Sequence, residues 1–241
     1  MPQLPQPTLS NTRADRAGET FRAFMAADEA GRAAMYHEGI VAVAEIALYR
    51  SMHAYPLRKV TMGVRQMIET DFGHGAPRPG QRFKRMDRIL PKLLRFPKMR
   101  LSQMEDIGGC RAVFETGDDV NAVARRIRRR WPHARISDHI ENPKPDGYRS
   151  LHIVEKRDGR LIEVQLRTRR QHAWAEAIES AGPRTGYNLK DGEGPADLRR
   201  YFMLAAERLA REDAGLPPDS AIEEEFATLR EQVLRYFSRP S

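Results

Sequence analysis

The sequence predicts an α+β protein, a sheet flanked by helices with helical extensions at both ends. Three observations carry that class. The first third repeats apolar residues at helical spacing and is rich in alanine; residues 111–167 read strand, helix, strand, hairpin; and helical spacing returns after Thr168. An all-helical bundle is excluded by the middle stretch, and 241 residues can bury a core without disulfides or metal.

The elements follow in order. Residues 1–14, Pro-rich and polar, are expected to be a disordered arm. An N-terminal helical region, 15–75, comprises helices over about 16–32 (FRAFMAADEAGRAAM), 37–53 (EGIVAVAEIALYRSM) and 56–72, where Pro56 suits a first helical turn and GHGAPRPG ends the run. The core is assigned to 76–191. There MDRILPKLLR (86–95) has helical spacing despite Pro91. RAVFE (111–115), RISDHIE (135–141), LHIVEKR (151–157) and RLIEVQLR (160–167) read as strands, the last two joined by the hairpin dipeptide Asp158-Gly159. DDVNAVARRIRRRW between the first two is an amphipathic helix. RRQHAWAEAIESA is helical up to Gly182-Pro183, TGYNLKDGEGP is a loop, and helices over about 195–214 and 220–236 are expected to pack on the core as a C-terminal region, 192–241.

Charge narrows the partners. The formal net charge is +8, with arginine clusters at 125–130 and 167–170 and a basic run over 82–100, so a polyanion is favoured: a nucleotide, nucleic acid or acidic protein. The single cysteine, Cys110, excludes an internal disulfide and any multi-cysteine metal site; beside glycine in a strand it reads as a small buried hydrophobe, not a nucleophile. His37, His53, His74, His133 and His139 lack metal spacing and read as surface or capping residues. No run of 18 apolar residues exists and the N-terminus is unlike a signal peptide, which leads to the expectation of a cytoplasmic protein without membrane contact.

Phosphoryl transfer assisted by a metal needs carboxylates for a hard cation, cations for phosphates and a flat surface for a base. Asp106 precedes the first of these strands, in MEDIGGCRAVF. Glu163 lies in RLIEVQLR, where Leu161, Glu163 and Gln165 share one face and Ile162, Val164 and Leu166 the other. Either carboxylate alone reads as an ordinary turn or strand residue. The loop ENPKPDGYRSLH (141–152) adds an aromatic ring and several hydrogen-bonding groups where a simple turn needs neither. No P-loop, GxGxxG or HExxH pattern occurs, and GQRFKR would hold phosphates through side chains.

Taken together, RFKRMDRILPK, MEDIGGCRAVF, ENPKPDGYRSLH and EVQLRTRRQHAWAE resemble the synthetase domain of the RelA/SpoT family, the (p)ppGpp synthetases, in its small single-domain form. The likeness runs from about Arg82 to Glu179. It implies a nucleotidyltransferase-like mixed sheet and transfer of pyrophosphate from ATP to a ribose 3′-hydroxyl of GDP or GTP. It further implies that Arg82, Lys84, Lys92 and Arg111 bind ATP, that Asp106 and Glu163 are catalytic and hold magnesium, and that Glu163 orients the metal or helps deprotonate the hydroxyl. The acceptor's base would stack on Tyr148, with Asn142, Lys144, His152, Gln165 and Arg167 around it. With no hydrolase motif in the sequence, synthesis without degradation is expected.

Departures from the family pattern lie on the acceptor side. Arg85 and Arg88 stand where serine is frequent, Asp146 and Arg149 where asparagine and glutamine are usual, and Ser180 where a histidine followed by a Tyr-Lys pair is familiar. The acceptor is therefore left open between GDP or GTP, an adenosine nucleotide, and the 3′-CCA end of tRNA, the last two being products or targets of toxin relatives. An antitoxin partner and homo-oligomers are also left open. A catalytically silent nucleic-acid or protein-binding module is the reading from another class, against which the complete Asp106, Glu163 and Tyr148 set argues.

Overall fold

The computed structural model describes residues 8–73 and 75–237. His74 and the first seven residues of the expected arm lie outside the described residues. The rest of that arm is not disordered: Leu9 is buried and Ser10 caps helix α1 (Asn11–Ala26) by accepting the Arg13 N–H. Helices α2 (Glu29–Ala34), α3 (Tyr36–Ser51) and α4 (Ala54–Phe72) follow. The single helix expected over 16–32 is two, because Asp28 breaks the run and caps α2, its carboxylate accepting the Gly31 N–H at 2.8 Å.

Next come β1 (Gly80–Phe83), α5 (Met86–Arg95), β2 (Gly108–Phe114), α6 (Gly117–Arg130), β3 (Arg135–Asp138), β4 (Leu151–Arg157) and β5 (Arg160–Thr168), then α7 (Arg169–Thr185), α8 (Ala196–Asp213) and α9 (Ser220–Phe237). The strands form one mixed sheet in the order β1-β2-β5-β4-β3. Strand β1 has no apolar alternation, being GQRF with its first three residues exposed, and so carried no sequence signal. β2 begins three residues before the expected strand, since Gly108 and Gly109 extend the alternation of buried and half-buried positions. β3 is shorter than expected. Asp138 stops it by accepting the N–H groups of Ile140 and Glu141, which turns His139–Glu141 out of the strand. The β4–β5 turn has Asp158 at φ 49° and Gly159 at φ 76°, the left-handed pair a two-residue hairpin requires. Helix α7 runs through Gly182-Pro183 and ends instead at Gly186, φ 77°.

The chain divides into two compact units. The first holds the described residues up to Gln66, with Pro79–Cys110 and Val154–Val164. Its core joins Ala17 and Phe21 of α1, Ile46 and Tyr49 of α3, Ile89 and Leu93 of α5, and Leu101, Met104 and Ile107. Burying such a set is the main force holding α1, α3 and α5 together. The second unit holds Met67–Arg78, Arg111–Ile153 and the described residues from Gln165. There Trp174 and Ile178 of α7, Leu198 and Phe202 of α8 and Val233 of α9 form one core with Tyr148.

Candidate active site

In the first unit the predicted donor-side residues converge on one carboxylate. Lys84 follows β1 and Lys92 sits on α5; their ammonium groups lie 2.8 Å from Asp106 Oδ2 and 3.0 Å from Asp106 Oδ1. Ile89 and Leu93 bury the adjoining face of the helix, which leaves Lys92 at the edge of that buried stripe. Burial pushes the Asp106 carboxyl up, but Lys92 and Lys84 outweigh it and hold the group below the ordinary carboxylate value. Two half-buried cations on one anion leave this cluster positive at neutral pH. Arg82 is exposed on β1.

Glu163 is half-buried on β5, next to β2 in the sheet. The alternation expected of β5 is observed, with Ile162, Val164 and Leu166 buried. Gly109 allows this approach: a Cβ there would sit 2.9 Å from the Glu163 carbonyl oxygen. Burial pushes the Cys110 thiol up to about 12, with a Thr61 hydrogen bond opposing and the Glu163 charge reinforcing it, so the thiol stays protonated at neutral pH.

Among the described residues no group of three or more His, Cys, Asp or Glu side chains is arranged to hold a metal. Magnesium does not need one, since one or two carboxylates with substrate phosphates and water suffice. Asp106 and Glu163, hard oxygen donors at the entry to β2 and on its neighbour β5, fit that mode of binding.

The second unit holds the residues predicted for the acceptor side. Tyr148 is 7 % exposed. Its hydroxyl accepts a hydrogen bond from Arg167 Nη2 at 2.5 Å and lies 2.7 Å from His152 Nε2. Arg167, 3 % exposed, also donates to Gln165 Oε1 at 2.8 Å and Ser150 Oγ at 3.3 Å. Its Nη1 is buried and has no hydrogen-bond partner among the described residues. Tyr148, His152, Gln165 and Arg167 are thus brought together. Asn142 and Lys144 are exposed in the loop.

An open stacking face on Tyr148, however, is not what the structure has. Lys144 Nζ and Arg167 Cζ each lie 5.0 Å from the ring centroid, and Trp174 packs at 6.4 Å. The ring's negative face attracts the two cations while its apolar body joins the core. Arg111, assigned to ATP, lies in this unit, where its guanidinium meets His172 Nδ1 at 3.2 Å.

Sequence reasoning missed His139. It is half-buried rather than a surface residue, with its ring 5.2 Å from His152 and 6.2 Å from Tyr148. Burial, His152 and Lys144 all push its pKa down. The available signal was its place at the start of the loop whose other end returns to β4: the His139 N–H donates to the Ser150 carbonyl at 3.0 Å. His53 is likewise buried, and burial lowers its pKa to about 4.

Residues 81–182 match the model of the region found in RelA/SpoT proteins. This segment is similar to the RelA/SpoT region. It contains every candidate site residue named above. A rice (Oryza sativa subsp. japonica) chloroplast protein described as a probable GTP diphosphokinase is 36 % identical over 98 residues, 39 % of this chain and 14 % of that protein. The Escherichia coli (strain K12) GTP pyrophosphokinase is 31 % identical over 104 residues, 42 % of this chain and 13 % of that protein. The chain thus matches about one-seventh of the length of these relatives. Among solved structures, small alarmone synthetase 1 of Bacillus subtilis bound to its product pppGpp superposes with a TM-score of 0.56 at 20 % identity, covering 77 % of this chain and 97 % of that one. Small alarmone synthetase 2 of the same organism gives 0.57 at 22 % identity, over 73 % and 97 %. These structural likenesses show the fold.

Proposed function

We propose that the chain is an ATP-dependent diphosphotransferase that makes (p)ppGpp from GDP or GTP. The observation that carries the proposal is Asp106 held between Lys84 and Lys92 inside the RelA/SpoT region. Phosphates of ATP would exchange for Asp106 as the partners of the two lysines, with Arg82 adding positive charge, and the released carboxylate becomes available to a cation. Magnesium held there by Asp106 and Glu163 would neutralise the phosphate charge that grows in the transition state.

The acceptor's 3′-oxygen attacks the β-phosphorus of ATP, the bond from that phosphorus to the α-phosphate's bridging oxygen breaks, AMP leaves, and the hydroxyl proton passes to Glu163. On the acceptor side Lys144 moves from the Tyr148 ring to an acceptor phosphate, which uncovers the ring for the base. Arg167 Nη1 gains the partner it lacks, and Asn142, His152 and Gln165 supply further hydrogen bonds.

A second acceptor is favoured by a specific feature. Arg125, Arg128, Arg129 and Arg130 are exposed at the C-terminal end of α6, a density of cations suited to an RNA backbone. Incubation with ATP labelled in the γ-phosphate, magnesium, and either GDP, GTP, an adenosine nucleotide or deacylated tRNA separates the acceptors by which product carries label. Label on GDP or GTP supports the primary reading and label on tRNA the second. Absence of label from every acceptor refutes both.

A further inference from the structure

The two residues that depart from the family pattern in the tyrosine loop point inward at the loop itself. Asp146 Oδ1 accepts the Tyr148 N–H at 3.0 Å, closing an Asx turn. Arg149 Nη1 donates to the Gly147 carbonyl at 3.3 Å, and Arg149 is half-buried where the charge of Glu207, on α8, reaches it. Between these clamps Gly147 takes φ 91°, and a Cβ there would lie 2.8 Å from Ala206 Cβ and 3.4 Å from Met203 Cα, both on α8. Elsewhere the loop stands off: a cavity of about 280 Å³ separates Lys144–Asp146 from Arg199, Phe202 and Met203 of α8. Packing holds the loop at Gly147. Two backbone bonds, Lys144 N–H to the Tyr148 carbonyl at 3.1 Å and Gly147 N–H to the Lys144 carbonyl at 2.8 Å, close its turn, and the side-chain clamps add to them. Helix α8 is itself pinned to α7, with Trp174 Nε1 donating to the Phe202 carbonyl at 2.8 Å, and to the end of β5, with Thr168 Oγ1 2.5 Å from Asp213 Oδ2.

We propose that Asp146 and Arg149 are positioning residues that hold the Tyr148 loop in the shape by which Gly147 seats against α8, which makes α8 a working part of the acceptor site. The inference rests on the acceptor role proposed for Tyr148. Neither side chain reads the acceptor directly; each sets where Tyr148 and Lys144 stand.

The test pairs two readouts on Asp146→Ala, Asp146→Asn and Arg149→Gln. Hydrogen exchange of the peptide spanning 143–150 reports the clamp without any nucleotide: Asp146→Ala and Arg149→Gln should exchange about tenfold faster there, with protection elsewhere unchanged, while Asp146→Asn, which keeps the accepting oxygen, stays close to wild type. Steady-state transfer from ATP should show the GDP or GTP KM raised several-fold in Asp146→Ala and restored in Asp146→Asn, with the ATP KM unmoved. Wild-type exchange in both Asp146→Ala and Arg149→Gln overturns the proposal, as does a rise confined to the ATP KM. Should Asp146→Ala fail to fold, Arg149→Gln decides by the same readings. A wild type that transfers to no acceptor refutes the functional reading alone, and exchange still decides the clamp.

Discussion

Tyr148→Phe separates the two jobs that the structure gives this residue. The substitution keeps the ring and removes the hydroxyl that links Arg167 Nη2 to His152 Nε2. Arg167 is 3 % exposed and already has Nη1 without a partner among the described residues, so Nη2 would keep there only its bond to Gln165. Losing a hydrogen bond to a buried charged group costs about 1.5–3 kcal/mol. For a chain of this size that corresponds to a fall in Tm of roughly 3–12 °C. Tyr148→Ala also removes a ring packed against Trp174, and large-to-small changes of this kind cost about 3–5 kcal/mol. Function should divide differently. Stacking on one ring contributes about 1–3 kcal/mol, so Tyr148→Ala should raise the acceptor KM about 5- to 150-fold while Tyr148→Phe retains most of the affinity. Urea unfolding followed by tryptophan fluorescence, with acceptor and ATP KM measured on the same preparations, reads both effects. A Tyr148→Phe variant as stable as wild type would refute the role of the hydroxyl, and an unchanged acceptor KM in Tyr148→Ala would refute stacking.

Asp106→Asn and Glu163→Gln should each abolish labelled transfer with circular dichroism unchanged; activity retained in either overturns the carboxylate assignment. Because Lys92 and Lys84 lower the Asp106 pKa against the opposing effect of burial, the stability it contributes is full above its unfolded value of about 4 and disappears as pH falls through its lower folded value. His53 gives an earlier acid loss. It is buried neutral with a pKa of about 4 against 6.5 unfolded, so stability should fall by about 3 kcal/mol between pH 6.5 and 4, and His53→Gln should flatten that slope in urea titrations at stepped pH. Cys110 should resist thiol reagents at pH 8 until the protein unfolds, as its raised pKa keeps the thiolate scarce.

Periodicity made most of the fold legible. The β4–β5 hairpin followed from Asp158-Gly159, and α6 from its apolar stripe, because local chemistry and tertiary packing agree there. What could not be read was set by contacts distant in sequence or by a single side chain: Asp28 splitting the first helix, Asp138 ending β3 early, and β1, a short strand without an apolar face. The site divides in the same way. The RelA/SpoT motifs named its residues, but no pattern in a sequence indicates that Lys84 and Lys92 share Asp106, or that the Tyr148 ring lies under Lys144 with its body in the core of the second unit. The meaning of Asp146 and Arg149 also needed coordinates, since their partners are backbone groups of their own loop.

The central claim is diphosphate transfer from ATP to a nucleotide hydroxyl, and the ratio of its two products tests it most directly. Wild-type protein with ATP, magnesium and GDP or GTP should release AMP and form 3′-pyrophosphorylated guanosine nucleotide in equal amounts, identified by mass, with both lost in Glu163→Gln. ATP that stays intact, or AMP that appears without any pyrophosphorylated acceptor, would contradict the account.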